Sequence, residues 1–303
     1  MTKRIVKIGS RKSKLARIQA EMVAELLRRS HPELEIRMIT MDTTGDKLID
    51  RPLDSVGGKG LFTLELEQCL RRGDIDLAVH SLKDMPQELP EDLPLLAYSR
   101  RGDPRDALVL PRGSVYRGMD SRFFEQPVGC SSVRRTVQLR CLCPKIPITP
   151  IRGNVPTRIQ KMDNGQYGAL LLAAAGLKRL GLTERIAHIF LPDEIIPAAG
   201  QGILAIQGRY DFDKELLNDV DDPDGRCAAQ AERAVIAGLA CGCGSPAAAY
   251  CTVMNNEIKI TGFYMDPVTN QTAKESVAGT REEWRKLADK LSSTLIREAT
   301  EHA

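Results

Sequence analysis

IDLAVHSLKD, residues 75–84, opens on a near-continuous apolar run, Ile75 to His80, and then turns polar at Ser81-Leu82-Lys83-Asp84. A strand with one wet face would alternate. A run like this predicts a strand buried on both faces, as in a parallel sheet covered by helices. Covering helices can be read just upstream. One follows Gly60, with Phe62, Leu66, Cys69 and Leu70 on one face and Gly73 as its stop. Farther back, RIVKIGS (4–10) is a short strand ending in Gly9-Ser10, and Ser13 is a good N-cap for a helix. In that helix Leu15, Ile18, Met22 and Leu26 recur at helical spacing and predict its buried stripe. Strands alternating with helices indicate a doubly wound α/β domain, whose ligands lie at the carboxyl ends of the strands. Arg11, Lys83 and Asp84 all fall at such ends.

The pattern then repeats as topology rather than as identity. PVGCSSVRRTVQLRCL (127–142) reads strand, Gly, Ser, basic residues, helix. TRIQKMDNGQYGALLLAAAGLKRL (157–180) reads helix, Gly, buried strand, basic turn. Two similar α/β lobes are expected, crossed at YSRRGDPRD (98–106) and LPDEIIPAAGQG (191–202), both rich in Pro and Gly. Two lobes joined twice imply a cleft and a hinge. After the polar break DVDDPDGR (219–226) an Ala-rich helix leads to a loop, LACGCGSP (239–246). Short strands follow, with turn signals at Asn255-Asn256 and Asp266-Pro267. A last helix opens with a capping box, Thr280 and Glu283, and is expected to bury Trp284, Leu287, Leu291 and Leu295. This is a small α+β third domain.

Composition excludes several classes. The 303 residues carry a net charge of only +3, too even for a bulk nucleic-acid binder. The longest apolar run, ALLLAAAGL (169–177), is too short to cross a bilayer. The opening MTKRIVKIGS lacks the apolar core of a signal peptide. A cytoplasmic protein is expected, so the eight cysteines read as reduced thiols rather than a disulfide framework.

Basic residues gather at predicted turns: Arg11, Lys83, Arg134, Arg135, Arg152, Arg158 and Arg179. Any single one reads as solvated surface charge. Together, beside Gly and Ser at strand-to-helix turns, they read as a site for a polyanion. VGGKG (56–60) fails as a phosphate loop, because Leu53 and Gly60 stand where Gly and Ser or Thr are needed. Residues 45–60 read instead as a lid. Asp84 is either an N-cap or ion-pair partner of Lys83, or a functional carboxylate. His80 reads as packed at the strand end, and His31, His188 and His302 are isolated. Zinc would rest on Cys227, Cys241, Cys243 and Cys251, whose C-x-C spacing with single outliers fits a structural site poorly. No metal is expected. The second C-x-C, Cys141 and Cys143, reads as buried packing.

In order, IGSRKSKLA, VGGKGLF, AVHSLKDMP, DPRDA, GCSSVRR, RGNVPTR, AGLKRLG, PAAGQG and the cysteine loop span essentially the whole chain. The chain therefore resembles the porphobilinogen deaminases, also called hydroxymethylbilane synthases. The resemblance implies two alike lobes similar to type 2 periplasmic binding proteins and a third domain with a cofactor-bearing cysteine. It implies domain 1 at residues 1–99 and 200–218, domain 2 at 105–193 and domain 3 at 222–303. The cofactor would be dipyrromethane, two linked pyrroles held by a thioether. The family's Glu-Gly-Gly-Cys is replaced here by Ala240-Cys241-Gly242-Cys243, so the attachment maps to Cys243, with Cys241 as a second thiol nearby. Cys130 is another departure, where the family usually has Thr.

The activity implied is stepwise deamination of four porphobilinogens, condensed head to tail on the primer and released as hydroxymethylbilane. By the resemblance Asp84 is catalytic. Ser81, Lys83, Asp84, Ser132, Arg134, Arg135 and Arg158 hold the cofactor beside Cys243. Arg11, Ser13, Gln19, Ser131, Arg152, Arg158 and Arg179 hold substrate, and Asp46, Lys59 and Phe62 border the lid. A monomer with no nucleic-acid or membrane partner is implied. The alternative is a non-enzymatic two-lobed anion-binding protein, which gives Asp84 and the cysteine loop no role.

Overall fold

The computed structural model describes residues 3–47, 63–119, 125–239 and 246–301. Its elements in chain order begin with β1 (Ile5–Arg11), α1 (Lys14–Ser30), β2 (Glu35–Met41), α2 (Thr44–Lys47), α3 (Leu64–Arg72), β3 (Leu77–Ser81) and β4 (Leu95–Tyr98). There follow β5 (Asp106–Val109), β6 (Val128–Gly129), α4 (Val133–Leu142), β7 (Ile148–Thr149), α5 (Val155–Asp163), β8 (Ala169–Ala173), α6 (Ala174–Arg179) and β9 (Ile186–Ile189). The chain ends with β10 (Leu204–Gly208), α7 (Pro223–Gly238), β11 (Ala247–Met254), β12 (Glu257–Met265), β13 (Thr272–Thr280) and α8 (Trp284–Glu301). The fold is mixed α/β and divides into two compact units, residues 1–102 with 202–229, and 103–201 with 230–303.

The first unit holds a five-stranded sheet in the order β2-β1-β3-β10-β4. β1 pairs parallel to β2 and β3, whereas β10 runs antiparallel to both β3 and β4. The apolar run in β3 is therefore buried as expected, but its two neighbours run in opposite directions. One face packs α1 through Ala20, Val23, Ala24 and Leu27 against Val6, Ile8, Leu77, Val79 and Ile206. The other packs α3 through Leu66 and Leu70 against Ile75, Ala78 and Leu93. The expected stripe on α1 is out of phase: Met22 is 44% and Leu26 38% exposed, while the small residues Ala20 and Ala24 face the sheet. A helix lying on a sheet approaches closest through small residues, so size and burial separate there. α3 ends where the sequence placed its stop, with Gly73 in the left-handed region at φ 75°.

The second unit repeats the arrangement, β7-β6-β8-β5-β9, with β6 parallel to its neighbours and β5 antiparallel to β8 and β9. In each sheet the second strand in spatial order carries a glycine against which a neighbouring side chain presses. A Cβ at Gly129 would lie 2.7 Å from Leu170 Cδ2, and one at Gly9 would strike Ile75. Phe190, Leu139 and Val128 fill one face of this sheet and Leu170, Met162 and Leu177 the other. Cys143 joins the first of these cores but Cys141 is exposed. The expectation that both pack inside is corrected by geometry, since residues two apart at a helix end point to different sides.

In the same unit β11, β12 and β13 form an antiparallel meander covered by α8 through Leu287, Leu291 and Leu295. The turn at Asn255 takes the left-handed conformation, φ 56°. The Thr280–Glu283 capping box is present and opens one 3-10 turn before α8. Trp284, expected to be buried, is half-buried with the Arg285 guanidinium 5.0 Å above its ring. Ile196, Ala248 and Phe263 form a small core joining this sheet to the preceding segment. No helix among the described residues is long and apolar enough to cross a membrane.

Candidate active site

In the first unit the carboxyl ends of β1 and β3 lie side by side, because the two strands pair in parallel. After β3 the chain makes one 3-10 turn, Leu82–Asp84, anchored by buried Leu82. That turn presents Lys83 half-buried and Asp84 exposed. After β1, Ser13 caps α1 by accepting a hydrogen bond from the Ala16 backbone N–H at 3.3 Å. Gln19, one turn into α1 and only 4% exposed, donates from Nε2 to Ser81 Oγ at 2.9 Å. A pocket of about 30 Å³ results, lined by Arg11, Gln19, Thr63, His80, Ser81 and Asp84 among others. One carboxylate thus stands among a guanidinium and neutral donors and acceptors. Thr63 and His80 were not among the predicted site residues. Buried polar side chains at a strand end and a helix start are the signal that would have found them.

The second unit brings a different set together. Arg134 and Arg135, expected at a turn, occupy the second and third positions of α4, behind the Ser132 N-cap. Both are buried around Asp106, the first residue of β5. Arg134 Nη1 donates to Asp106 Oδ2 at 2.7 Å and to the Ile196 carbonyl at 2.7 Å. Arg135 Nη2 and Nε donate to Asp106 Oδ1 at 2.7 and 3.0 Å. Gln201 Nε2 adds a bond to the same oxygen at 2.9 Å. Burial alone would raise the Asp106 carboxyl, but the two guanidinium charges and their hydrogen bonds outweigh it and hold it well below the usual carboxylate range. Asp106 was not predicted either. Its signal is a carboxylate placed directly before the apolar run Ala107 to Leu110.

The remaining predicted residues of this unit cluster about the loop before α5. Ser131 Oγ donates to the Ile151 carbonyl at 2.5 Å and accepts from its N–H at 2.8 Å, tying the end of β6 to that loop. Asn154 caps α5. Arg158 donates from Nε to the Gly153 carbonyl at 2.7 Å, and Arg152 is half-buried beside it. Arg179, expected in a turn, is the last residue of α6, and burial draws its guanidinium below the ordinary value. Cys243, Cys241, Lys59 and Phe62 lie outside the described residues, as does the side chain of Asp46, a residue of α2.

Each unit by itself supplies groups that suit carboxylates, Arg11, Lys83 and Ser13 in the first and Arg152, Arg158 and Arg179 in the second, where Arg134 and Arg135 are engaged by Asp106. That chemistry suits dipyrromethane, whose pyrroles bear acidic side chains.

Comparison with known proteins agrees. The family described as porphobilinogen deaminase, dipyromethane cofactor binding domain, matches residues 6–218, and the porphobilinogen deaminase C-terminal domain matches residues 227–297. The porphobilinogen deaminase of Acetivibrio thermocellus is 45% identical over 294 residues, covering 97% of this chain and 99% of that protein. The one from Ruminiclostridium cellulolyticum is 47% identical, covering 91% and 92%. Among solved structures, the periplasmic aliphatic sulphonate binding protein SsuA from Escherichia coli is similar at a TM-score of 0.41 and 13% identity, covering 78% of this chain and 70% of that one. Matches over nearly the full length leave one conclusion: the chain belongs to the porphobilinogen deaminase family.

Proposed function

We propose that this chain deaminates porphobilinogen at the pocket of the first unit, with Asp84 as the catalytic carboxylate and Cys243 as the attachment point of the dipyrromethane primer. The pocket carries the reading. A carboxylate on a short, anchored turn at a strand end, facing Arg11 and the Gln19–Ser81 pair, meets the needs of this reaction.

Porphobilinogen is an aminomethyl pyrrole with two carboxylate arms. Loss of ammonia leaves a methylene cation conjugated with the ring nitrogen. A fixed carboxylate beside the pyrrole N–H stabilises that charge as it develops and can pass protons. Arg11 and Lys83 then hold the carboxylate arms, with Ser13 and Gln19 as neutral donors. In the second unit Ser131, Ser132, Arg134, Arg135, Arg152, Arg158 and Arg179 serve the arms of the cofactor and of the growing chain. When bound, dipyrromethane supplies a free pyrrole carbon as the first acceptor. A thiolate at Cys243 is nucleophilic enough for the attachment, since a free Cys titrates near about 8.5. Residues 45–60, with Asp46, Lys59 and Phe62, serve as the lid. The enzyme works as a cytoplasmic monomer.

Intact mass of the purified protein tests the cofactor reading. An added mass of two pyrrole units is expected, absent after Cys243→Ser; the same mass surviving on that variant would move the attachment to Cys241. Asp84→Ala should retain the added mass and lose turnover by at least about 100-fold, the usual loss for a charge-stabilising group. Wild-type turnover in that variant would reassign Asp84.

A further inference from the structure

The polar layer on the α3 side of the first sheet contains a chain of groups that the reading above leaves unused. Gln207, in β10, is fully buried and donates from Nε2 to the Leu93 carbonyl at 3.0 Å and to Glu67 Oε1 at 3.3 Å. With its amide nitrogen committed to two acceptors, its orientation is fixed and Oε1 must accept. His80 sits two positions along the neighbouring strand from Ala78, the residue that Gln207 pairs with, and is 7% exposed. His80 Nε2 and Gln207 Oε1 are both buried and lack hydrogen-bond geometry to any described group. Gln207 is nevertheless the side chain that favours the protonated form of this imidazole. Pairing the two atoms as donor and acceptor satisfies both. The proton of neutral His80 then resides on Nε2, and Nδ1 is left with a lone pair.

The ring that carries this lone pair lines the same pocket as Arg11, Gln19, Ser81 and Asp84. Burial, with the nearby Arg11 charge, pushes the imidazole down to about 4, so it stays neutral at physiological pH. Beside His80 the pocket has room for a small polar group of the size of water or an ammonium.

We propose that His80 is a substrate-contacting residue, its Nδ1 accepting a hydrogen bond from the ammonium of the aminomethyl group, with Gln207 and Glu67 as the positioning residues that fix its tautomer. The inference rests on the placement of catalysis at this pocket. In the step itself the methylene C–N bond breaks, its electron pair leaves with nitrogen as ammonia, and the positive charge passes to the methylene and ring. The nitrogen must keep all three of its protons until that bond breaks. A strong base beside it would remove one and spoil the leaving group. An imidazole this weakly basic orients the ammonium and leaves it protonated, while Asp84 meets the charge that forms on the ring.

The test uses the primer-loaded enzyme and one equivalent of porphobilinogen, reading ammonia release in a single turnover. Asn places an oxygen where Nδ1 stands, and Gln places its amide where Nε2 stands, so the two variants separate the pocket side of the ring from the Gln207 side. His80→Asn should stay within a few-fold of wild type, while His80→Gln and His80→Phe should lose about 10- to 100-fold in the rate of ammonia release, as for one bond to a charged group. Equal rates in all three, or Gln outperforming Asn, would overturn the proposal even if the Phe variant folds poorly. The primer mass on each variant keeps this outcome apart from failure of the underlying reading, which would show as wild-type protein that releases no ammonia.

Discussion

Asp106 shows how much one side chain can carry when its neighbours are charged. It is fully buried, and two guanidinium groups and the Gln201 amide converge on it. The guanidinium groups could not remain inside without it, since an uncompensated buried charge costs about 3–5 kcal/mol. Asp106→Asn keeps the shape and removes the charge. It should therefore lower stability by about that much at neutral pH. The pH dependence has a definite sign. The folded carboxyl lies below its ordinary value, so the unfolded chain takes up the proton first as pH falls. The stability Asp106 contributes is complete above about pH 4 and declines below it. Urea midpoints of the two proteins should differ most at neutral pH, and the difference should shrink progressively below about pH 4. A constant difference across that range would mean that packing, not charge, sets the role of Asp106. His80 behaves in the same direction over another window. Its folded value of about 4 lies below the ordinary 6.5, so the stability tied to its neutral form weakens between those values as pH falls.

α1 separates what a pattern of residues reveals from what packing adds. Ser13 as N-cap, the Gly73 stop of α3 and the Thr280–Glu283 box are local chemistry, and all three were legible because a cap needs only its own turn. The buried face of α1 was not. Leu15, Ile18, Met22 and Leu26 form the larger apolar stripe, yet the sheet takes the face of Ala16, Gln19, Ala20, Val23, Ala24 and Leu27. Hydrophobic periodicity weighs size, whereas a helix seated on a sheet is limited by how near its backbone can come. Ala20→Leu should accordingly cost about 1–3 kcal/mol by overpacking. Met22→Ala should change stability by no more than about 0.5 kcal/mol. Urea titrations of the two variants check this, and the reverse order would return α1 to the phase read from its larger residues. β13 escaped notice for a related reason. Thr272–Thr280 has no apolar alternation, with Lys274-Glu275-Ser276 polar in a row, and its pairing with β12 supplies the strand signal that composition lacks. Asp84 and Arg11 were legible at strand ends, whereas Asp106 and His80 acquire meaning only from partners far away in sequence.

Across the whole molecule, the two five-stranded sheets share one rule: the fourth strand in spatial order is antiparallel and comes from a distant part of the chain or enters before the rest of its sheet. No local pattern encodes this. β10 wedges between β3 and β4, and the segment that follows it supplies Leu216, Leu217 and Val220 to the same core as Ile8 and Leu27. Tyr98 also donates its backbone N–H to Asp221 Oδ1 at 2.9 Å, fastening β4 to that returning segment. Residues 1–102 alone would leave the inner edges of β3 and β4 unpaired and that core open on one side. The fragment 1–102 is therefore expected to lack a cooperative thermal transition and to aggregate. Joining residues 202–229 to it through a flexible linker should restore one, because the missing strand and its core residues arrive together. Circular dichroism on both polypeptides decides the matter. A sharp transition in the short fragment would show that β1 to β4 are self-sufficient and that the returning strand contributes only to the site at the end of β3.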